Sequence, residues 1–227
     1  MNSVDQIVQW SEILVSGPDS ELFLQGQLTQ DLSLITDEAK WTLLLQPDSS
    51  VVSALFVSKT PAGYSLSVPR ALGEQSLARL RRFHLRVNCT LELVESSSGP
   101  FNSISDLISA GWIGENECLL SLTPQCYGTN VVSQSISFTK GCFTGQELVG
   151  RLDARGSSVP WRMVRITGPS IDRINEVVSS KGPDGPKGIT SAFEANGSVV
   201  ALAIAHRTLL DADVLSAFSD VTVEVDL

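Results

Sequence analysis

The segment Lys140-Gly141-Cys142-Phe143-Thr144-Gly145-Gln146-Glu147-Leu148-Val149 gathers a thiol, an ammonium group and two glycines ahead of a helix signal. Thr144 and Glu147 have the S/T-x-x-E spacing of a capping box, which predicts a helix from Gly145 with Thr144 as its N-cap. Cys142 would then precede the helix by two residues. Unpaired N–H groups, the positive end of the helix dipole and Lys140 would all favour a thiolate there, and Gly141 removes bulk beside it. The alternative is a cysteine that fills space before an ordinary capped helix. That packing role also fits Cys89, in an alternating run, and Cys118, beside Leu119 and Leu120, whereas Cys126 is open.

A second cluster sets Arg70, Arg79, Arg81, Arg82 and Arg86 against the single Glu74 within residues 70–86. Such a patch attracts acidic groups over a Debye length, or else its long side chains cover the apolar Leu77, Leu80 and Phe83. His84 and His206 stand in apolar contexts and read as packed, hydrogen-bonded residues. The four cysteines form no C-x-x-C pair, so neither zinc-ligand nor cluster-ligand spacing is present. Free thiols in a cytoplasmic chain fit this usage.

Positioning these groups requires a core, and the chain is long enough for one. At 227 residues, roughly 70% of the unfolded surface is buried on folding. Hydrophobic residues at 42% and charged residues at 18% exclude wholesale disorder and fibrous repeats. A formal charge of −9 opposes nucleic acid and anionic membranes, so direct nucleic-acid binding is not expected and any anion site must be local. Met1 to Leu14 mixes Asp5, Gln6, Gln9 and Glu12 among apolar residues, unlike an export leader. No run approaches the ~20 apolar residues of a membrane span.

Asp19 and Ser20 offer N-caps for a short helix through Leu24 that Gly26 would end. Trp41 to Leu45 and Val51 to Ser58 read as strands, and Thr60-Pro61-Ala62-Gly63 turns the second into Tyr64 to Val68 as a hairpin. Leu72 to Arg86 has helical spacing, and Val87, Cys89, Leu91 and Leu93 alternate as a half-buried strand. Ser96-Ser97-Ser98-Gly99-Pro100 is a linker. Leu107 and Ile108 predict a short helix ending near Gly111, and Ile136 and Phe138 alternate with serines. After Gly156, Val164 to Thr167, Val199 to Ala205 and Val221 to Val225 form short apolar runs around the loose stretch Lys181 to Gly188. They predict a small β unit.

The decapeptide around Cys142 strongly resembles the K-G-C-[FY]-x-G-Q-E signature of the YgfZ family of folate-binding proteins, which maintain certain iron–sulfur enzymes and are relatives of the glycine-cleavage aminomethyltransferase. The resemblance continues in order along most of the chain. Phe23 through Asp31 is similar to the family's F-L-Q-G-Q-x-T-x-D opening, and Arg79 to Val87 to its basic helix running into a strand. Leu122-Thr123-Pro124-Gln125, Arg151 through Gly156 and Gly188-Ile189-Thr190-Ser191 resemble its later motifs.

This resemblance implies an α+β fold: two α+β units with antiparallel sheets, the first discontinuous, plus a small C-terminal β-barrel. Residues 1–45 and 98–155 would form the first unit, 46–97 an inserted unit and 156–227 the barrel. Tetrahydrofolate or a derivative would lie between them, with Cys142 as the functional thiol and Gln27, Asp31, Lys140, Gly141, Gly145, Gln146, Glu147 and Arg151 at the cofactor. Iron–sulfur enzymes or their assembly factors would be the partners. Two departures bear on activity. Where the aminomethyltransferases carry an acidic pair this chain has Ser53 and Ala54, and where they carry Asn it has Pro69. A folate-binding maintenance factor is therefore the first expectation and a one-carbon transferase the alternative, with Asp48 the nearest carboxylate but placed in a turn.

Overall fold

The computed structural model describes residues 7–96, 99–156 and 158–225. Residues 1–6, at the start of the stretch read for a leader, and Ser97 and Ser98 of the linker lie outside the described residues. Five strands, β1 (Trp10–Ser16), β2 (Lys40–Leu45), β3 (Val51–Thr60), β4 (Gly63–Pro69) and β5 (Thr90–Ser96), form an antiparallel sheet in the order β2-β3-β4-β1-β5. β3 is its apolar spine, buried from Val51 to Val57, because both faces of the sheet are covered. The expected hairpin joins Thr60 to Gly63. Gly63 has φ +149°, and a Cβ there would sit 2.2 Å from the Val15 carbonyl oxygen, so the approach of β1 requires glycine.

On one face, α1 (Ser20–Gln25) and α2 (Gly73–Arg81) cover the sheet. The Ser76 hydroxyl donates to Ser53 Oγ at 2.8 Å, and Leu77 and Leu80 are buried beneath. Phe56 points from β3 into an aromatic cluster with Trp10, Trp41, Phe101 and Trp112. Three short helices, α3 (Ile104–Ser109), α4 (Glu115–Cys118) and α5 (Thr129–Ser135), and then α6 (Gln146–Ala154), come next. Because β1 and β2 pair with β3, β4 and β5 in one sheet, the boundary expected near residue 46 falls inside the β2–β3 hairpin.

The C-terminal strands β6 (Trp161–Gly168), β7 (Gly188–Ala195), β8 (Ser198–His206) and β9 (Thr222–Val225) form a second antiparallel sheet, ordered β7-β8-β6-β9. The period of two sorts β8 between two cores. Leu202 and Ile204 join the main core, while Ala201, Ala203 and Ala205 pack with Ile174, Val177 and Val178 of α7 (Ile171–Ser179). A closed barrel is not seen among the described residues: no ladder joins β7 to β9, and α7 covers one face of the sheet. Among the described residues no helix is long and apolar enough to cross a membrane.

The run predicted as helix from Leu72 to Arg86 is shorter. α2 ends at Arg81, and a turn closed by Arg82 N–H to Ala78 O and His84 N–H to Arg81 O leads to Arg86 at φ +58°. The alternation at Ile136 and Phe138 makes no strand, since α5 fills that segment up to Ser135 and Ile136 to Phe138 joins neither sheet.

Candidate functional site

Lys140 is 8% exposed, and its ammonium donates to three backbone carbonyls: Gln25 at 2.8 Å, Leu28 at 2.7 Å and Gln30 at 2.8 Å. All three N–H donors are used. Burial draws this amine down to about 8, with the Asp31 carboxylate opposing the shift. The Thr144 N–H donates to Gly26 O at 3.0 Å, so residues 140 to 144 clasp the turn from Gln25 to Asp31 at two points. The turn is stiffened from within. The Gln25 amide donates to Asp31 Oδ1 and its carbonyl accepts from Leu32 N–H, while Asp31 Oδ1 also accepts from Ser33 N–H and its hydroxyl. These bonds hold the Asp31 carboxyl below its ordinary range. Thr29, fully buried, donates to Ser135 O and accepts from Leu43 N–H.

Between the buried anchors Lys140 and Phe143 stand Gly141 and Cys142, both exposed. A Cβ on Gly141 would meet nothing within 4 Å, so the approach to the thiol is open. Cys142 is exposed, whereas Cys89, Cys118 and Cys126 are buried, and burial raises all three of those thiols, Cys118 to about 12. His84 Nε2 lies 3.3 Å from Cys89 Sγ and His206 Nδ1 lies 2.9 Å from Thr208 Oγ1, as packed residues do.

The local chemistry around Cys142 differs from expectation in two ways. The helix starts at Gln146 with Gly145 as N-cap at φ +86°, and Thr144 makes no capping bond because its N–H and hydroxyl both turn to Gly26 O. Gly145 is set by a neighbour instead: a Cβ there would lie 2.8 Å from Gln46 O, and Ser49 Oγ donates to Gly145 O. Lys140, expected to favour a thiolate, spends its donors on the turn.

Of the residues expected at a cofactor, Gln27, Asp31, Lys140, Gly141 and Gly145 gather in this clasp. Gln146 is half-buried at the first position of α6. Glu147 and Arg151 pair with each other at 2.6 Å on the exposed side of α6, an i, i+4 contact of a few tenths of a kcal/mol.

None of these eight, nor Cys142, lines the cavity of about 440 Å³ where the two sheets meet. Gln9, Pro69 and Arg70, α3, the segment Gly114 to Asn116 and Ser191 of β7 form its walls. Two of its lining residues, Gly114 and Ser191, belong to a buried polar joint that the sequence reading missed. Glu117, fully buried, accepts from Gly114 N–H and from the Ser191 hydroxyl, each at 2.8 Å, and Asn116 donates to Thr190 O. Its neighbours Glu115 and Asn116 give Glu117 the look of a solvated turn residue, and its partner Ser191 lies 74 residues away. Ser53 is fully buried against α2 and lines no part of the cavity, while Asp48 accepts from the N–H and hydroxyl of Ser50 in a turn, as expected.

No family model matches the chain. It is similar to the tRNA-modifying protein YgfZ of Klebsiella pneumoniae strain 342, at 23% identity over 66% of this chain and 67% of that protein. The chain is YgfZ-like. An uncharacterized protein of Haemophilus influenzae Rd is 28% identical over 70% of the YgfZ-like chain and 71% of its own length. The glycine cleavage system aminomethyltransferase T from Bartonella henselae shares the fold, with a TM-score of 0.54 at 12% identity, covering 88% of the YgfZ-like chain and 76% of that structure.

Proposed function

We propose that this chain binds a reduced folate in the cavity between its two sheets and supports the assembly or repair of iron–sulfur enzymes through the thiol of Cys142. The observation that carries the reading is the coincidence of an aminomethyltransferase fold with a 440 Å³ cavity of mixed lining at the junction of the sheets. The residues fit such a ligand. Glu115 offers an acceptor for the amino and amide N–H groups of a pterin, Ile104 and Leu107 offer apolar contact, and Arg70 offers a cation for the glutamate carboxylates. Bound there, a reduced folate supplies a carrier for one-carbon units. Cys142 contributes a nucleophilic sulfur on a clasped, exposed loop.

The Klebsiella relative is named for tRNA modification. With a charge of −9, this chain would serve such a pathway through a partner enzyme rather than by holding RNA. A one-carbon transferase is the second reading, and Glu115 at the cavity wall is the observation that favours it. The sealed Ser53 and the apolar Ala54 speak for the first, because transfer needs a carboxylate beside the positive charge developing at the reacting nitrogen. The test is complementation in cells deleted for this chain, read as the activity of an iron–sulfur enzyme. The wild-type gene restores activity and Cys142→Ala does not; full restoration by Cys142→Ala would remove the thiol from the function.

A further inference from the structure

Arg79 stands in the last turn of α2 at 4% exposure, with its Nη1 donating to Gln27 Oε1 at 3.2 Å. Its Nε and Nη2 are buried and have no hydrogen-bond partner. Among the described residues no carboxylate pairs with it, and the charge that acts on it electrostatically is the like charge of Arg82. A guanidinium removed from water with one neutral acceptor and one aromatic ring is a poorly compensated buried charge, a costly arrangement for a fold to hold. Nε and Nη2 share one edge of the planar group and point the same way, and that edge matches the two oxygens of a carboxylate in a bidentate pair.

We propose that Arg79 and Gln27 form a seat for the carboxylate of a small organic acid, with Phe83 as its cover. The Phe83 ring lies over the guanidinium at 4.2 Å, is half-buried and belongs to the turn after α2 rather than to the helix itself. The ring stands outside both sheets, so moving it would break no strand pairing. The seat abuts the Cys142 clasp, because Gln27 lies in the turn that Lys140 and Thr144 hold. It is separate from the cavity between the sheets, and it does not rest on the folate reading. The other arginines of the patch behave differently: Arg70 pairs with Glu95, and Arg81, Arg82 and Arg86 are exposed. They supply attraction toward the seat.

The test is a titration of the full chain with glutarate, watched at the Arg79 Nε–H resonance in a ¹H–¹⁵N correlation spectrum. A saturable shift with glutarate, absent with sodium chloride of equal ionic strength, is expected. Calorimetry should show binding weakened about tenfold or more in Arg79→Lys, which keeps the charge and loses the fork. Should that variant fail to fold, Phe83→Ala takes its place and binds glutarate faster than wild type. No shift with glutarate overturns the seat. A stronger response to inorganic phosphate than to glutarate overturns the carboxylate assignment, and an unchanged binding rate in Phe83→Ala overturns the cover.

Discussion

Replacing Lys140 by methionine separates a structural from a ligand-binding role. Methionine keeps the length and apolar stem but removes the donors to Gln25 O, Leu28 O and Gln30 O. Each carbonyl left without a donor at a partly buried site costs about 2 kcal/mol, or about 6 kcal/mol together. Against this, the variant no longer buries an ammonium whose pKa burial has lowered from 10.5 to about 8, a relief of about 3 kcal/mol. A net loss of about 3 kcal/mol at pH 7 is expected, read as a lower urea midpoint in far-UV circular dichroism. The pH dependence has a definite sign. Because the folded pKa lies below the unfolded one, the unfolded chain holds more protons between pH 8 and 10.5, so this group's contribution to stability rises with pH there and is lost as pH falls through 8. The deficit of Lys140→Met should therefore widen above pH 8. A variant within about 0.5 kcal/mol of wild type at pH 7 would refute the clasp and return Lys140 to a ligand-binding role.

Substoichiometric iodoacetamide at pH 7 should label Cys142 first by peptide mapping, since Cys89, Cys118 and Cys126 are buried with raised pKa values; Cys142→Ala should change stability by less than about 0.5 kcal/mol, and early labelling of a buried thiol would contradict both. Gly145→Ala should destabilise by about 2 kcal/mol or more, because φ is +86° and the new Cβ meets the Gln46 carbonyl. Gly141→Ala meets open space and should leave the urea midpoint unchanged, so equal losses in the two variants would refute this reading of the loop. Glu117→Leu removes both acceptors, leaving the Gly114 N–H and the Ser191 hydroxyl without their partner, and should lower stability by about 2 kcal/mol, read as a lower urea midpoint.

Local pattern made several elements legible. The β-branched run Val51–Thr60, the Pro61-Ala62 turn and the apolar run in β8 each carry their own period, and the structure obeys them. β1 was not read as a strand, although it lies between β4 and β5 in the sheet. α7 was not read as a helix, although Ser170 caps it and Ile171, Ile174, Val177 and Val178 stand at helical spacing. At the candidate site the residue types were visible and their partners were not. The Thr144 to Glu147 spacing matched a capping box, but the contact of Gly145 with Gln46 O decided the backbone there. The carbonyls that take up Lys140 lie 110 to 115 residues earlier, and the Gln27 acceptor for Arg79 lies 52 residues earlier. Contacts over such separations leave no periodic trace in one sequence.

Folate occupancy of the cavity between the sheets is tested most directly by calorimetric titration with tetrahydrofolate of the wild-type chain and of Ala71→Phe. Ala71 is an exposed residue on the cavity wall, so the larger ring fills ligand space without entering the core. Saturable one-to-one binding to wild type, lost in a folded Ala71→Phe, is the expected result. Absence of heat with wild type, or unchanged affinity in Ala71→Phe, would contradict a folate in this cavity.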